Sequence, residues 1–356
     1  MPADIDKPSP YWFSQKSDKI ITSLVKLGEN NEETIRAGLK ELIHETRLDQ
    51  RLKQQRNVLI KPNFTLDTYK PGVTTSPLVL KLLVEQIHSF SENITIIEGN
   101  GGSYLFSADE AARNHGVFDL TREYGVNWTN VSKLETEKVT RIINKRKMKL
   151  ALPRQGEFQE PFLISVPVFK NHCMTRVTLG IKNLWGLVPS ELRMLHHSNI
   201  NRYLPLIGEH YNHQFTIIDG TIGLEGNGPM FGDAIELRTL LASSNAVIGD
   251  VIATWLMKID PQQISHISEY ARHRGTRIED IVKQIPSRWS NYQEELKMIR
   301  TPSNYLDLLT FKSFALSKVV FDSPLTPMIY FLFNLVNGDR KSITPKKLKK
   351  LLEERS

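Results

Sequence analysis

Short apolar runs rich in β-branched residues alternate with stretches of helical periodicity through the middle of the chain. The four clearest runs are 56–60, 94–100, 161–170 and 214–220. Between the first two, Ser76 and Pro77 introduce a stretch with helical apolar spacing, and a serine cap with proline in the first turn is typical of a helix start. Strands that alternate with helices in this way form parallel sheets. The pattern therefore predicts an α/β fold with a mainly parallel sheet flanked by helices.

The same pattern divides the chain into three segments. Residues 1–55 are expected to form an N-terminal leader and a helix, because apolar side chains recur at helical spacing from about residue 31. Residues 56–285 hold the alternating pattern and are expected to form the α/β domain, either as one body or as two lobes with a cleft. Residues 286–356 are less regular and end in a lysine-rich run, which predicts a C-terminal helical extension with a basic tail.

Polar residues stand where each of the four predicted strands ends: Lys61 and Asn63, then Glu98, then Lys170 and His172, then Asp219 and Glu225. Because the carboxyl ends of parallel strands meet at one edge of the sheet, where ligands bind in open α/β folds, we expect these side chains to converge. Lysines, together with neutral hydrogen-bonding side chains, favour a carboxylate or phosphate ligand. The alternative for any one of these turns, taken alone, is a solvated loop.

His172 and Lys182 are the first candidates for catalysis. Lys182 follows His172 by ten residues, within a stretch (175–188) whose spacing predicts a helix returning over the same edge. His172 would serve as an acid or base, and Lys182 as an electrostatic clamp or a covalent anchor. A structural ion pair of Lys182 with Asp219 or Glu225 is the alternative.

Further residues complete the predicted site. Asp219 and Glu225 would supply a second acid/base group, or would hold a metal or the lysines. The ligand-binding candidates are Lys61, Asn63, Thr74, Thr75, Glu98, Lys170, Asn183, Gly226 and Gly228. The two glycines flank Asn227 beside Pro229, a setting in which a positive φ or a close backbone approach is expected. A metal site built from His172 with His196 or His197 is a further alternative.

The composition excludes several functional classes. Cys173 is the single cysteine, which excludes an intramolecular disulfide and a cysteine-ligated iron–sulfur cluster. The fingerprints G-x-G-x-x-G and G-x-x-x-x-G-K-[ST] are absent, which disfavours NAD and ATP bound in their usual ways. The formal net charge of +7 suits phosphates or an anionic membrane, but it is too small to indicate a specific nucleic-acid partner.

The ends of the chain bear on its location. The first residues lack the apolar core of a signal peptide, and no apolar run is long enough to span a membrane, so we expect a cytoplasmic protein. Residues 324–337 are apolar and aromatic, and a lysine-rich run extends from there to residue 350. A packed helix with a solvated tail would explain them. Peripheral contact of 324–350 with an anionic membrane or a partner protein is the alternative.

Several longer motifs resemble a known family. The segments VLIKPNF, PGVTTSP, VPVFKNHCMTRVTLGIKNLWGLVP and IIDGTIGLEGNGPMFG, with His196, His197 and Asp250, resemble in this order the bacterial and archaeal family called domain of unknown function 362, over about residues 56–275. Many members carry ferredoxin-like cysteine motifs, which implies redox chemistry for them, but this chain lacks those cysteines. A fainter resemblance to the lactate racemase family rests on His172, Lys182 and the His196/His197 pair. It implies a related architecture and cleft, with a nickel-pincer nucleotide as a cofactor hypothesis.

These observations predict an enzyme that acts on a small anionic substrate in a cleft at the strand ends, by acid/base or cofactor-assisted chemistry. An isomerase or an oxidoreductase is expected. One alternative is a non-catalytic protein that carries a ligand or cofactor in the same cleft. Another is a redox-enzyme subunit with a non-cysteine cofactor such as a flavin.

Overall fold

The structure is a computed structural model that describes residues 5–6, 11–15, 18–91 and 93–329. The strands are β1 (Ile5–Asp6), β2 (Tyr11–Gln15), β3 (Asp18–Leu27), β4 (Asn57–Pro62), β5 (Ile94–Glu98), β6 (Asn127–Asn130), β7 (Thr136–Ile143), β8 (Arg146–Pro153), β9 (Pro161–Val166), β10 (Val168–His172), β11 (Arg176–Thr178), β12 (His213–Glu225) and β13 (Asp233–Ser243). The α-helices are α1 (Glu32–Glu45), α2 (Leu48–Leu52), α3 (Pro77–Ile87), α4 (Ala108–Asn114), α5 (Val117–Tyr124), α6 (Gly180–Asn183), α7 (Ile200–His210), α8 (Ala246–Leu256), α9 (Ser265–His273), α10 (Ile278–Gln284), α11 (Pro302–Thr310) and α12 (Phe314–Phe321). The predicted basic tail, and residues 330–350 of the segment considered for membrane contact, lie outside the described residues.

Parallel strands form the centre of the main sheet, in the order β12–β9–β4–β5–β6. Beyond β12, the strands β13, β3 and β1 extend the sheet in antiparallel pairing. Strand β10 pairs in parallel with the second half of β12 and antiparallel with β11. The α/β fold with a largely parallel sheet, predicted from the sequence, is therefore confirmed.

Helices cover both faces of the central strands, and strand β4 shows how the sequence achieves this. Leu59 packs into the apolar core that includes residues of α7, α8 and α9. Its neighbours Val58 and Ile60 point to the opposite face and pack into the core that includes residues of α1 and α3. Strands that are buried on both faces read as continuous apolar runs, and such runs were the signal in the sequence.

Strand β3 is an element that the sequence analysis did not predict within residues 1–55. It pairs antiparallel with β13 and belongs to the main sheet. Thr22 and Ser23 interrupt its apolar pattern, although both are buried. The hydroxyl oxygens of Thr22 and Ser243 lie 2.8 Å apart and form a hydrogen bond, so a polar pair is satisfied inside the sheet. A pattern of apolar side chains alone could not find this strand.

The described part of the C-terminal extension is helical, as predicted. Helices α11 and α12 follow residue 301, and Phe311 between them packs against His197, with 4.7 Å between the ring centroids. The extension therefore lies against the 3-10 helix Glu191–Asn199, next to the carboxyl ends of the central strands. Among the described residues, no helix has the length and apolar character needed to cross a membrane.

Candidate functional site

A cavity of about 320 Å³ lies at the carboxyl ends of the central strands. Strands β4, β5 and β10 each contribute the last charged side chain before the following loop. Most of the residues proposed from the sequence line this cavity, namely Lys61, Asn63, Glu98, Lys170, His172, Lys182, Asn183, His197 and Gly228. The convergence follows from the parallel topology, which brings strand ends that are distant in sequence to the same edge.

Lys61 and Glu98 form a buried ion pair at the base of the cavity. The Lys61 Nζ atom lies 2.5 Å from Oε2 of Glu98 and also donates to the carbonyl oxygen of Pro62 at 2.7 Å. Glu98 accepts further hydrogen bonds from the backbone N–H groups of Phe64 and Gly99. Burial lowers the pKa of Lys61, and the Glu98 carboxylate opposes that shift. The charge of Glu98 is therefore already matched within the protein.

Lys170 is buried without a carboxylate partner among the described residues. Its Nζ atom donates to Asn63 Oδ1 at 2.6 Å, to Thr65 Oγ1 at 2.7 Å and to the carbonyl oxygen of Val73 at 2.6 Å. These three neutral acceptors match the three hydrogens of an ammonium group. Burial, followed by the charge of Lys182, lowers the pKa of Lys170 well below its ordinary value. The three hydrogen bonds thus hold the Lys170 amino group in a fixed position.

Asn183 connects the strands beneath the two lysines. Its Nδ2 donates to the carbonyl oxygen of Lys61 and to Ser165 Oγ, both at 3.0 Å. Its Oδ1 accepts from Asn63 Nδ2 at 2.8 Å. Thr75, which does not line the cavity, accepts from the backbone N–H of Asn63 at 2.7 Å and so holds that residue in place. These neutral contacts orient the charged side chains.

Lys182 differs from the other lysines of the cavity. Only 8% of its surface is exposed, and among the described residues its Nζ atom forms no hydrogen bond or ion pair. Burial and the charge of Arg193 lower the pKa of Lys182 to about 8. A buried cation without a partner is costly, so this position is suited to an anion supplied from outside the chain.

The backbone that carries Lys182 is held by Asp250 on helix α8. The two carboxylate oxygens of Asp250 accept the N–H groups of Gly180 and Ile181, each at 2.8 Å. Burial raises the pKa of Asp250 to about 7, against the effect of these two donors. A Cβ atom at position 180 would lie 2.6 Å from Thr216 Oγ1, so the turn requires glycine there. The helix predicted over 175–188 begins later than expected: β11 occupies its first part, and the short α6 with a 3-10 turn (Leu184–Leu187) forms the helical part.

Arg193 is a cavity residue that the sequence analysis missed. Its guanidinium is buried and donates to the carbonyl oxygens of Asn100, Val188 and Ser190, at 2.6, 3.4 and 3.3 Å. Burial lowers the pKa of Arg193 to about 10. It lies in the 3-10 helix Glu191–Asn199, which no strand or helix signal marks in the sequence.

The charges around the cavity do not balance. Lys61, Lys170, Lys182 and Arg193 line it, and within residues 18–91 and 93–329 the one acidic side chain in the lining is Glu98. Glu98 forms its direct ion pair with Lys61, and among the described residues the other cations of the wall form no direct ion pair with it. The excess positive charge in a buried setting favours an anionic ligand.

His172 is placed to donate a hydrogen bond into the cavity. Its Nδ1 accepts the backbone N–H of Met174 at 3.2 Å, so in the neutral ring the hydrogen resides on Nε2. Burial and the charge of Lys182 lower the pKa of His172 well below its ordinary value, which keeps the ring neutral. His197 also lines the cavity and packs against Trp185, with 5.7 Å between the ring centroids.

Polar atoms in the cavity wall also lack partners. Thr178 Oγ1, Trp185 Nε1 and Asn227 Oδ1 are buried, and none has a hydrogen-bond partner in the described part of the chain. Buried polar groups are nearly always satisfied, so these three atoms are exceptions, and all three belong to residues that line the cavity. The three atoms include both donors and acceptors.

The structure places the remaining predicted residues away from the cavity lining. They are Thr74, Thr75, His196, Asp219, Glu225 and Gly226. Asp219 accepts from the backbone N–H of Ser76 at 2.9 Å and from Thr221, where it holds the start of helix α3. Glu225 accepts from the backbone N–H of Lys297. The ion pair of Lys182 with Asp219 or Glu225, considered from the sequence, is therefore not formed.

Gly226 and Gly228 are glycines for different structural reasons. Gly226 has φ +80°, a conformation that favours glycine. At Gly228 a Cβ atom would lie 2.3 Å from the carbonyl oxygen of Asn171, so the constraint is close backbone approach. Both features were expected from the sequence as alternatives. Of the two, Gly228 lines the cavity.

Of the three histidines proposed as metal ligands, two share the cavity and one lies outside it. His172 and His197 line the cavity, whereas the ring of His196 packs against Tyr203 and Phe314 outside it. Across the described ranges, no three side chains of His, Cys, Asp or Glu lie together in a way that could hold a metal ion.

Comparisons with known proteins give a family and one distant relative. "Thylakoid-associated protein sll1697" of Synechocystis sp. is 32% identical over 117 residues, which is 31% of this chain and 36% of the relative. The match thus spans about a third of the length of that curated protein. The profile of the family described as "Domain of unknown function (DUF362)" matches residues 58–255. Because that match covers more than half of the chain, the chain belongs to the family of domain of unknown function 362.

Proposed function

We propose that this protein binds a small anionic molecule, a carboxylate or a phosphate, in the cavity at the strand ends and acts on it. The observation that carries the proposal is Lys182, a buried cation without a hydrogen-bond or ion-pair partner among the described residues. Lys170 and Arg193 add positive charge, and Glu98 is neutralised by Lys61. An anion would complete the charge balance of this wall.

The side chains suit proton transfer next to the bound anion. With a pKa of about 8, Lys182 would hold the anion when protonated. In its neutral form it would accept a proton from the substrate while Lys170 and Arg193 hold the anion. The Nε2–H of His172 would donate to an oxygen of the substrate and stabilise negative charge that develops there. Lys170 is fixed by three acceptors and would serve in binding. Isomerisation of a substituted carboxylic acid by proton abstraction is a reaction of this kind.

Binding can be measured through Trp185, which lines the cavity. Purified protein is titrated with inorganic phosphate, acetate and lactate while tryptophan fluorescence is recorded, and Trp185→Phe identifies the source of the signal. We expect saturable quenching, at least tenfold weaker binding in Lys182→Met, and no change in Lys26→Met. Lys26 is a matched control because burial also lowers its pKa, but it lies outside the cavity lining.

A non-catalytic carrier is the main alternative, and hydrogen exchange separates it from an enzyme. An enzyme that abstracts a proton next to a carboxylate would exchange that hydrogen with deuterium from heavy water, and Lys182→Met would stop the exchange. A carrier would bind the same acid in a Lys182-dependent way without exchange. Mass spectrometry of the recovered acid distinguishes the two.

A bound cofactor is a separate hypothesis. A flavin nucleotide or a nickel-pincer nucleotide carries phosphate, which the cations of the cavity would suit, and Lys170 and Lys182 would be its binding residues. Such a group would supply redox or hydride chemistry. An absorbance spectrum and elemental analysis of the purified protein test this hypothesis. A bound flavin would also support the alternative of a redox-enzyme subunit.

We further propose that the C-terminal extension contacts an anionic membrane surface. Helices α11 and α12 and the residues that follow them expose a series of large apolar side chains: Leu306, Leu309, Phe314, Leu316, Val319, Leu325 and Met328. The sequence beyond residue 340 is rich in lysine, which complements anionic lipid. The relative from Synechocystis sp. is named a thylakoid-associated protein, which is consistent with this proposal. Co-sedimentation with phosphatidylglycerol vesicles, and not with phosphatidylcholine vesicles, is the expected result.

A further inference from the structure

We infer that the ligand of the cavity is an amphiphile, with an anionic head, carboxylate or phosphate, on an apolar body. This inference rests on the anion-binding function proposed above and names the class of molecule that the same site takes. It is carried by the size of the cavity and by the apolar side chains that share its wall with the lysines.

The cavity is larger than a phosphate ion or a three-carbon acid requires. Its volume of about 320 Å³ falls at the lower end of the range, roughly 300–1,000 Å³, that is typical of pockets for drug-sized ligands. A small anion held at Lys182 would fill only part of this volume. A body attached to the anion is needed to fill the rest.

Much of the remaining wall is apolar. The side chains include Phe106, Met174, Met194, Met230, Phe311 and Phe321. Aromatic rings and methionines predominate, and methionine adapts well to apolar ligands of irregular shape. A short acid would leave these side chains facing water, whereas a hydrocarbon body would cover them.

Cations and apolar side chains share the wall of the cavity. The cations stand on β4, on β10, on α6 and on the 3-10 helix Glu191–Asn199. The C-terminal extension adds Phe311 and Phe321, which stack with 5.3 Å between ring centroids. The cavity thus offers cations for an anionic head and apolar surface for a body attached to it.

Two homologous series of ligands test the inference. Straight-chain carboxylates from acetate to decanoate, and alkyl phosphates from methyl to decyl, are titrated below their micellar concentrations by isothermal calorimetry. We expect the dissociation constant to fall about three- to fourfold for each added CH₂ until the cavity is filled. The series with the tighter binding identifies the head group.

Variants test separately whether Lys182 binds the anionic head and whether the apolar wall binds the body of the ligand. Lys182→Met should weaken decanoate at least tenfold, and decanol should not compete with decanoate. Phe311→Ala should reduce the gain per CH₂ while leaving acetate affinity within twofold. Met230→Ala, in a loop apart from the C-terminal helices, is a second variant of the apolar wall in case Phe311→Ala does not fold.

The outcomes separate this inference from the function on which it rests. Equal affinity for acetate and decanoate, with binding still lost in Lys182→Met, would overturn the amphiphile and leave anion binding intact. Binding of decanoate that is unchanged in Lys182→Met would overturn both. A steady gain with chain length that needs Lys182 would support both.

Discussion

The carboxylate of Asp250 and the ammonium of Lys182 are connected through one turn of backbone. Asp250 accepts the N–H groups of Gly180 and Ile181, and Lys182 is the next residue. Asp250 is fully buried and does not line the cavity, so it acts on the site through the position of that turn.

Asp250→Asn should therefore weaken anion binding without removing a cavity side chain. The asparagine amide has one oxygen, whereas the Asp250 carboxylate uses two oxygens to accept the two N–H groups. One N–H group would therefore lose its acceptor, and an unsatisfied buried donor costs about 1–3 kcal/mol. We expect a lower melting temperature and at least a fivefold weaker affinity for acetate or phosphate. An affinity equal to that of wild type would show that Asp250 does not position Lys182.

Lys182→Met should stabilise the folded protein near neutral pH. With an ordinary pKa of 10.5 lowered to about 8, the protonated side chain costs about 3 kcal/mol in the folded state. Because the folded-state pKa is the lower one, this cost is present below pH 8 and disappears as the pH approaches 10.5. Urea unfolding at two pH values measures it. A destabilised variant would indicate a structural partner for Lys182.

Lys170→Met is the matched comparison and should behave in the opposite way. The Lys170 Nζ atom donates hydrogen bonds to oxygen atoms of Asn63, Thr65 and Val73. Methionine has no such donor, so the three oxygens would lose these hydrogen bonds. We expect a loss of at least about 1–3 kcal/mol in the free energy of unfolding. Unfolding free energies that change alike in the two methionine variants would contradict the distinction drawn between the two lysines.

Anion affinity should fall as the pH rises above about 8. Lys182 is charged below its pKa of about 8 and neutral above it, so a carboxylate probe, which stays ionised throughout, loses its partner. Affinity should decline by up to about tenfold per pH unit. Lys182→Arg should keep a flat profile because arginine stays protonated. The same decline in both proteins would assign the pH dependence to another group.

Gly228→Ala should be strongly destabilising. The added Cβ atom would meet the backbone carbonyl of Asn171 at 2.3 Å, and neither backbone can move freely inside the cavity wall. We expect a loss of a few kcal/mol in the free energy of unfolding, about 1–3 kcal/mol being usual for overpacking. Gly156→Ala is the control, because no atom lies within 4 Å of a Cβ there. Equal stability of the two variants would contradict the close approach.

The central strands and most of the charged cavity residues could be predicted from the sequence because both follow from one pattern. Buried parallel strands read as apolar runs, and their ends carry Lys61, Glu98 and Lys170. Asp219 was expected at the same edge, yet its carboxylate accepts the backbone N–H of Ser76 at the start of helix α3. Pattern alone does not fix the direction of a side chain.

Other parts of the site depend on contacts between distant segments. Arg193 lies in a 3-10 helix without apolar periodicity, and Phe311 reaches the cavity from an extension outside the recognised motifs. Strand β3 was missed because Thr22 and Ser23 are buried in it. In each case tertiary packing, rather than local preference, decides the position.

The most direct test of this account is the pKa of Lys182 measured by NMR with ¹³C at the lysine Cε, with the signal assigned by its loss in Lys182→Met. We predict a pKa of about 8 in the free protein, because burial and the charge of Arg193 disfavour the charged form. We also predict a rise in that pKa when acetate or phosphate binds, since an anion favours the charged form. A pKa near 10.5 that does not change with either anion would contradict the proposal that Lys182 holds the ligand.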